Sequence, residues 1–265
     1  MKVFISADIE GINGVTHWDE TIKNKPDFKE FAHQMTLEVN AACKGAINAG
    51  AKEIWIKDAH DSGRNIDHNL LPQNTKLIRG WSGDLFSMVQ ELDQSFHALL
   101  FIGYHSGGGS NLNPLSHTMN TKIDYIKLNN EYFTEFLLHS YIAAYLEVPI
   151  VFLSGDQGLC EYVQHINQSI VTVAVKQGVG NSTINIHPKL AQELIETGVE
   201  KALRGNVKQC KLSLPGNFLL EIRYKEHTDA FAKSKYSGAK LIESKKIQYE
   251  SQDYMEILQA IKFLA

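Results

Sequence analysis

Apolar positions follow two rhythms along the chain. Short, nearly continuous apolar runs at 2–7, 53–57, 98–103, 148–153 and 169–175 read as strands buried on both faces. Longer stretches between them repeat apolar residues at helical spacing. In 28–48 these are Phe31, Met35, Val39, Ala42 and Ala46, and Gly50 supplies a stop signal. Helices are likewise expected over 134–146, 158–164 and 188–203. Strand and helix alternate, which predicts an α/β fold: a mostly parallel sheet flanked by helices in three layers.

Weaker patterns predict a short strand at 77–79, a helix at 85–92 and a hairpin or pair of strands at 123–128. After Gly205 the character changes. Strands at 216–225 and 247–252 and a closing helix at 253–264 predict a small α+β subdomain. The expected organisation is a catalytic α/β unit over 1–204, with the region around 75–100 a candidate insertion, followed by the subdomain at 205–265.

With 43% hydrophobic and 21% charged residues, the 265-residue chain is an ordinary globular protein. Its net charge of -4 and scattered lysines leave no basic stripe for nucleic acid. No segment approaches the roughly 20 apolar residues of a membrane span. The apolar start is too short for a signal peptide, so a cytoplasmic location is expected. Cys43, Cys160 and Cys210 are far apart and odd in number, which argues against a disulfide framework and against a CxxC metal site. Eleven histidines remain as the supply for metal or acid–base chemistry.

In parallel sheets, functional groups collect beyond the carboxyl ends of the strands. Three expected strand ends carry metal-competent residues: Asp8-Ile9-Glu10-Gly11, Asp58-Ala59-His60-Asp61 and Tyr104-His105-Ser106-Gly107. In an extended segment, residues at i and i+2 share a side, so Asp8 and Glu10 can reach one ion; Asp58 and His60 can do the same, or Asp58 supports His60 from behind. Histidine nitrogen with carboxylate oxygen suits zinc, with manganese or iron as chemical substitutes. Taken singly, a DxE is an ordinary cap or ribose-binding acid and His60 an ordinary loop residue. Their joint placement on one rim is what favours a metal. The run Gly107-Gly108-Gly109 lacks the Lys-Ser/Thr of a P-loop, and no G-x-S-x-G occurs, which disfavours a serine hydrolase.

With these residues in view, the chain resembles the M55 peptidase family of zinc D-aminopeptidases over most of its length. The motifs that carry the resemblance are Ser6-Ala7-Asp8-Ile9-Glu10-Gly11, Lys57-Asp58-Ala59-His60, Phe101-Ile102-Gly103-Tyr104-His105 and Leu115-Ser116-His117-Thr118-Met119. Asn129-Asn130-Glu131 with Glu135, then Ser154-Gly155-Asp156 and Ala174-Val175-Lys176-Gln177, complete the series. The resemblance implies two zinc ions per subunit bridged by Asp8, with Glu10 and His60 on one ion, His105 and Glu135 on the other, and His117 as the catalytic histidine. It implies a short peptide as substrate and a ring-shaped homo-oligomer, a decamer in the family's best-known member.

By pattern alone, Glu135 is an exposed carboxylate on a helix, His139 a surface or core residue and His117 a loop histidine; only the resemblance lifts Glu135 and His117 above that. The glycine-rich loop after His105, the stretch with Asn13, Thr16, His17 and Trp18, and Gln157 depart from the family pattern and leave the D-preference open. The same ligands would serve another metal-dependent amide or phosphoester hydrolase. A non-catalytic peptide-binding protein is the alternative outside enzymes.

Overall fold

The computed structural model describes residues 1–265. Strand β1 (Lys2–Ala7) pairs in parallel with β2 (Glu53–Asp58) on one side and β4 (Ala98–Tyr104) on the other, and β3 (Thr75–Ile78) extends the sheet beyond β2. Past β4 come β7 (Ile150–Asp156) and β8 (Val171–Val179), also parallel, and the antiparallel edge strand β9 (Ser182–Asn185). The order is β3-β2-β1-β4-β7-β8-β9. Every residue of β4 and β7 is buried, as their unbroken apolar runs require when helices cover both faces.

Helices α1 (Phe28–Asn48) and α4 (Pro188–Arg204) pack against each other beside the sheet, while α2 (Glu135–Tyr145) packs on β4 and α3 (Gln157–Ile166) on β7 and β8. The first contact depends on Gly45, where a Cβ would lie 2.3 Å from the carbonyl oxygen of Glu196.

A second, antiparallel sheet has the order β11-β12-β10-β5-β6. Its strands are β5 (Ile123–Leu128), β6 (Glu131–Tyr132), β10 (Phe218–Tyr224), β11 (Lys240–Glu243) and β12 (Lys246–Ser251), with α5 (His227–Lys233) and α6 (Tyr254–Leu264) packed on it. Strands β5 and β6 form a hairpin through Asn129 and Asn130, both at positive φ (53° and 71°), the backbone a two-residue type I′ turn needs. β10 alternates buried and half-buried residues, as expected of a sheet with one covered face. Tyr254 Oη donates to Leu138 O at 2.6 Å and ties α6 to α2.

The α/β architecture expected from the pattern is the one observed. The strands of the C-terminal tail share their sheet with β5 and β6 from the middle of the chain. The expected helix at 85–92 is instead a single 3-10 turn, Ser87–Val89. Asp84 Oδ1 accepts from Phe86 N at 2.7 Å and Ser82 Oγ from Asp84 N at 3.2 Å. These local bonds compete with a helical ladder, and Ser87 and Glu91 at positive φ close the turn at both ends.

Candidate metal centre

The sheet changes direction between β1 and β4: the chain runs outward from β1 through β2 to β3, then returns to place β4 on the other side of β1. Such a reversal opens a crevice at the carboxyl ends of the two strands. Asp8 and Glu10 follow β1, His105 follows β4, and His60 lies two residues past β2. Glu135 is the first residue of α2, whose N-cap Thr134 accepts from Leu137 N at 3.1 Å. All five are buried.

Asp8 divides its carboxylate between two histidines. His60 Nδ1 lies 3.4 Å from Asp8 Oδ1 and 3.1 Å from Glu10 Oε2, while His105 Nε2 lies 3.6 Å from Asp8 Oδ2 and 3.3 Å from Glu135 Oε2. His117 Nε2 stands 3.6 Å from Glu135 Oε1. In each ring the other nitrogen meets a backbone carbonyl at 2.9 Å: His60 Nε2 with Thr21 O, His105 Nδ1 with Ser106 O, His117 Nδ1 with Leu115 O. A carbonyl only accepts, so those nitrogens carry protons, and the facing nitrogens are the ones that take either a metal through a lone pair or a second proton.

Lone pairs against carboxylates repel unless a cation lies between them. His105 Nε2 and Glu10 Oε2 are buried with no hydrogen-bond partner, and atoms of Asp8, Glu10 and His105, like those of His105, His117 and Glu135, lie within 4.8 Å of one another. This mixed set of imidazole nitrogens and carboxylate oxygens fits zinc.

Left to themselves, the groups hold protons in place of metal. Burial and the charge of Glu10 push Asp8 well above its usual range. Burial works against charge on His60, yet Glu10 and Asp8 outweigh it and hold the imidazole well above its ordinary value. Burial is likewise overcome at His105, raised to about 10 by Glu135, and at Glu135, lowered to about 2 by His105. Glu10 is held well below its usual range because His60 outweighs burial.

The structure brings Asp8, Glu10, His60, His105, Glu135 and His117 together, though not in the way alternation along a strand implies. Residues 8–10 lie in a turn, with Ile12 N donating to Ile9 O at 3.1 Å. Asp58 turns away from the cluster and accepts from Asn65 N at 2.5 Å, Asn65 Nδ2 at 2.7 Å and Ile66 N at 2.8 Å. Asn65 Nδ2 also reaches His60 O at 2.7 Å, so Asp58 braces the His60 loop. Glu135, an exposed carboxylate by pattern, is 4% exposed.

Other residues contribute that the pattern did not assign. Asp156 accepts from Ser106 N and Ser106 Oγ, both at 2.6 Å, and from Asn113 Nδ2 at 3.0 Å, which fixes the loop after His105. Lys176 Nζ donates to Glu10 O at 2.5 Å and Val15 O at 2.6 Å. Met119, at φ 68°, donates its N–H to Glu135 Oε1 at 2.7 Å. His139 is fully buried and bonds Glu135 O through Nδ1 at 2.6 Å, and burial lowers it to about 4. Asp156 closes β7 and obeys the strand-end rule that exposes His105, while Lys176 lies within β8 beside it; nothing local to either tells a brace from a ligand. Gly11 is required by close approach, since a Cβ there would lie 1.9 Å from Tyr104 O.

A cavity of about 480 Å³ opens over the cluster, lined by Asp8, Glu10, His60, His117 and Glu135 and walled by Trp18, Ile22, Trp81, Met88 and Met119. Trp18 sets its edge against His117, ring centroids 5.2 Å apart. No helix is long and apolar enough to cross a membrane.

Comparison with known proteins identifies the family. The peptidase family M55, described as D-aminopeptidase, matches residues 1–263. A D-aminopeptidase of Bacillus subtilis (strain 168) is 28% identical over 265 residues, covering 98% of this chain and 95% of that one. A solved structure, the Zn-dependent D-aminopeptidase DppA from Bacillus subtilis, a self-compartmentalizing protease, superposes with a TM-score of 0.93 at 26% identity, covering 100% of this chain and 96% of the other. The chain belongs to the M55 family of D-aminopeptidases and is a zinc-dependent aminopeptidase.

Proposed function

We propose that the chain uses two zinc ions per subunit to remove N-terminal residues from short peptides, with D-residues preferred as in its B. subtilis relative. Asp8 would serve both ions, Glu10 and His60 would complete one set and His105 and Glu135 the other. The observation that carries this reading is the division of Asp8, Oδ1 at 3.4 Å from His60 and Oδ2 at 3.6 Å from His105. One carboxylate facing two separate imidazoles is what a pair of neighbouring cations asks for.

Zinc, when bound, supplies a Lewis acid that polarises a carbonyl and lowers the pKa of a water to ~7. The protein's own work is positioning and proton handling. Asp58 and Asn65 hold the His60 loop, Asp156 holds the His105 loop, and Lys176 holds the backbone of Glu10. His117 commits Nδ1 to Leu115 O and presents Nε2 at the cavity, where it hands a proton to the leaving amine or steadies the developing negative oxygen.

The self-compartmentalizing assembly of the relative extends, in this proposal, to a ring-shaped homo-oligomer, a decamer, whose chamber admits only short or unfolded peptides. Val179, Ile184, Phe231 and Phe263, each more than half exposed, are the kind of side chains that subunit contacts cover.

The test joins elemental analysis of wild type and Asp8→Ala to hydrolysis of D-Ala and L-Ala dipeptides beside a generic phosphoester. We expect two zincs in the wild type, none in the variant, and dipeptide cleavage. Two zincs retained by Asp8→Ala would refute the bridge; phosphoester cleavage without peptide cleavage would move the chain to another hydrolase class.

A further inference from the structure

The wall of the cavity beside His60 carries apolar surface that the metal chemistry does not use. Trp81 is 41% exposed and Ile22 44%, and both line the cavity with Asp8, Glu10 and His60. This tryptophan is built in rather than loose. Its Nε1–H donates at 2.7 Å to the carbonyl of Asp61, the residue after His60. One residue earlier, Gly80 N donates to Gly63 O at 2.8 Å, and Gly80 O accepts from Lys57 Nζ at 2.5 Å. The same ammonium lies 3.9 Å from the centroid of the Trp81 ring.

Lys57 rises from β2, fully buried, and also donates to Asp58 O at 2.8 Å. Its cation backs the indole and its hydrogen bonds fix the loop, so the ring meets the cavity in a set orientation. Ile22 lines the cavity from another loop, which is tied to His60 by the preceding residue, for Thr21 O pairs with His60 Nε2 at 2.9 Å.

Charge around the cavity narrows what this platform takes. Asp8, Glu10, Asp61 and Glu135 line it, and no lysine or arginine does. An acidic side chain would find only the Lys57 ammonium near Trp81, buried and already committed to the carbonyls of Asp58 and Gly80, whereas an apolar one gains contact with a surface already held in place.

We infer that Trp81, together with Ile22, forms the subsite for a large apolar side chain flanking the scissile bond of the substrate peptide. The inference rests on the peptidase reading and adds the substrate class. Trp81 is thereby a specificity-determining residue. A purely structural role, shielding Lys57 from water, makes a different prediction: its loss would lower activity on all peptides in proportion.

The experiment compares zinc-loaded wild type, Trp81→Ala, Trp81→Phe and Ile22→Ala on dipeptides bearing Ala, Leu, Phe or Asp at either position, in both configurations. The quantity read is the ratio of kcat/KM for the Leu or Phe peptide to that for its Ala counterpart. We expect the wild type to favour Leu and Phe and to reject Asp. Trp81→Ala should lower the ratio about tenfold or more, Trp81→Phe should keep most of it, and Ile22→Ala should reduce it if Trp81→Ala does not fold. A ratio unchanged in Trp81→Ala, or in Ile22→Ala where that variant stands in, overturns the subsite, as does a wild type that cleaves peptides without side-chain preference. A wild type that cleaves none of the panel overturns the peptidase reading and the subsite with it.

Discussion

The imidazoles of His105 and His117 lie face to face, ring centroids 4.5 Å apart and planes 9° from parallel. Both turn Nε2 toward Glu135, His105 to Oε2 and His117 to Oε1. One carboxylate thus serves two rings with different access: His105 is 1% exposed in its side chain, whereas His117 is 13% exposed and lines the cavity. The buried ring suits a ligand and the accessible one suits proton transfer.

From that difference, His117→Ala should lower turnover by roughly a hundredfold or more while leaving the zinc content of wild type. Single-turnover kinetics with elemental analysis on the same preparation checks this. Loss of zinc in step with activity would make His117 a ligand, and near-wild-type turnover would remove it from the chemistry.

Stripping the metal should destabilise the fold. The cluster buries Asp8, Glu10 and Glu135 side by side, and a cation that binds only the folded state stabilises by mass action, about 4 kcal/mol at a thousandfold excess over its dissociation constant. For a chain of this size that corresponds to a thermal midpoint lower by on the order of 10 °C after chelation. Calorimetry with and without chelator, then with zinc restored, measures it. A midpoint that does not move would mean the cluster holds no tightly bound cation.

Glu38 makes stability depend on pH. Its Oε1 accepts from Asn13 N at 3.0 Å and Gln34 Nε2 at 2.9 Å, while Oε2 is buried without a partner. Burial raises its pKa from 4.5 to about 7 against the pull of Gln34, Asn13 and Lys176. A folded-state value above the unfolded one means the folded protein keeps the proton longer. The associated stability is present below the unfolded pKa and lost as pH rises toward about 7. Glu38→Gln, which has no proton to lose, should therefore gain on wild type between pH 5 and 8, by at most about 3 kcal/mol. Urea unfolding of both proteins at the two pH values is the check, and parallel curves would show that Glu38 does not titrate there.

The strands and helices that build the main sheet were legible because burial writes itself into local pattern. The apolar runs at 2–7 and 98–103 and the helical spacing of 28–48 fall within a residue of β1, β4 and α1. The pattern failed where polar side chains took over the backbone, at Ser82 and Asp84, and for β6, β9 and β11, short edge strands with no buried residue.

Through strand-end placement the sequence by itself determined that Asp8, Glu10, His60 and His105 would reach one rim of the sheet. It could not decide what each would face there. Asp58 and His60 stand two residues apart, yet one braces a loop and the other meets the carboxylates; Glu135 becomes part of the cluster only because α2, which it begins, is packed against β4. Which neighbours a side chain finds depends on strand order and on the turns that aim each loop. Those arise from contacts between residues distant along the chain, which no local pattern of apolar and polar positions encodes.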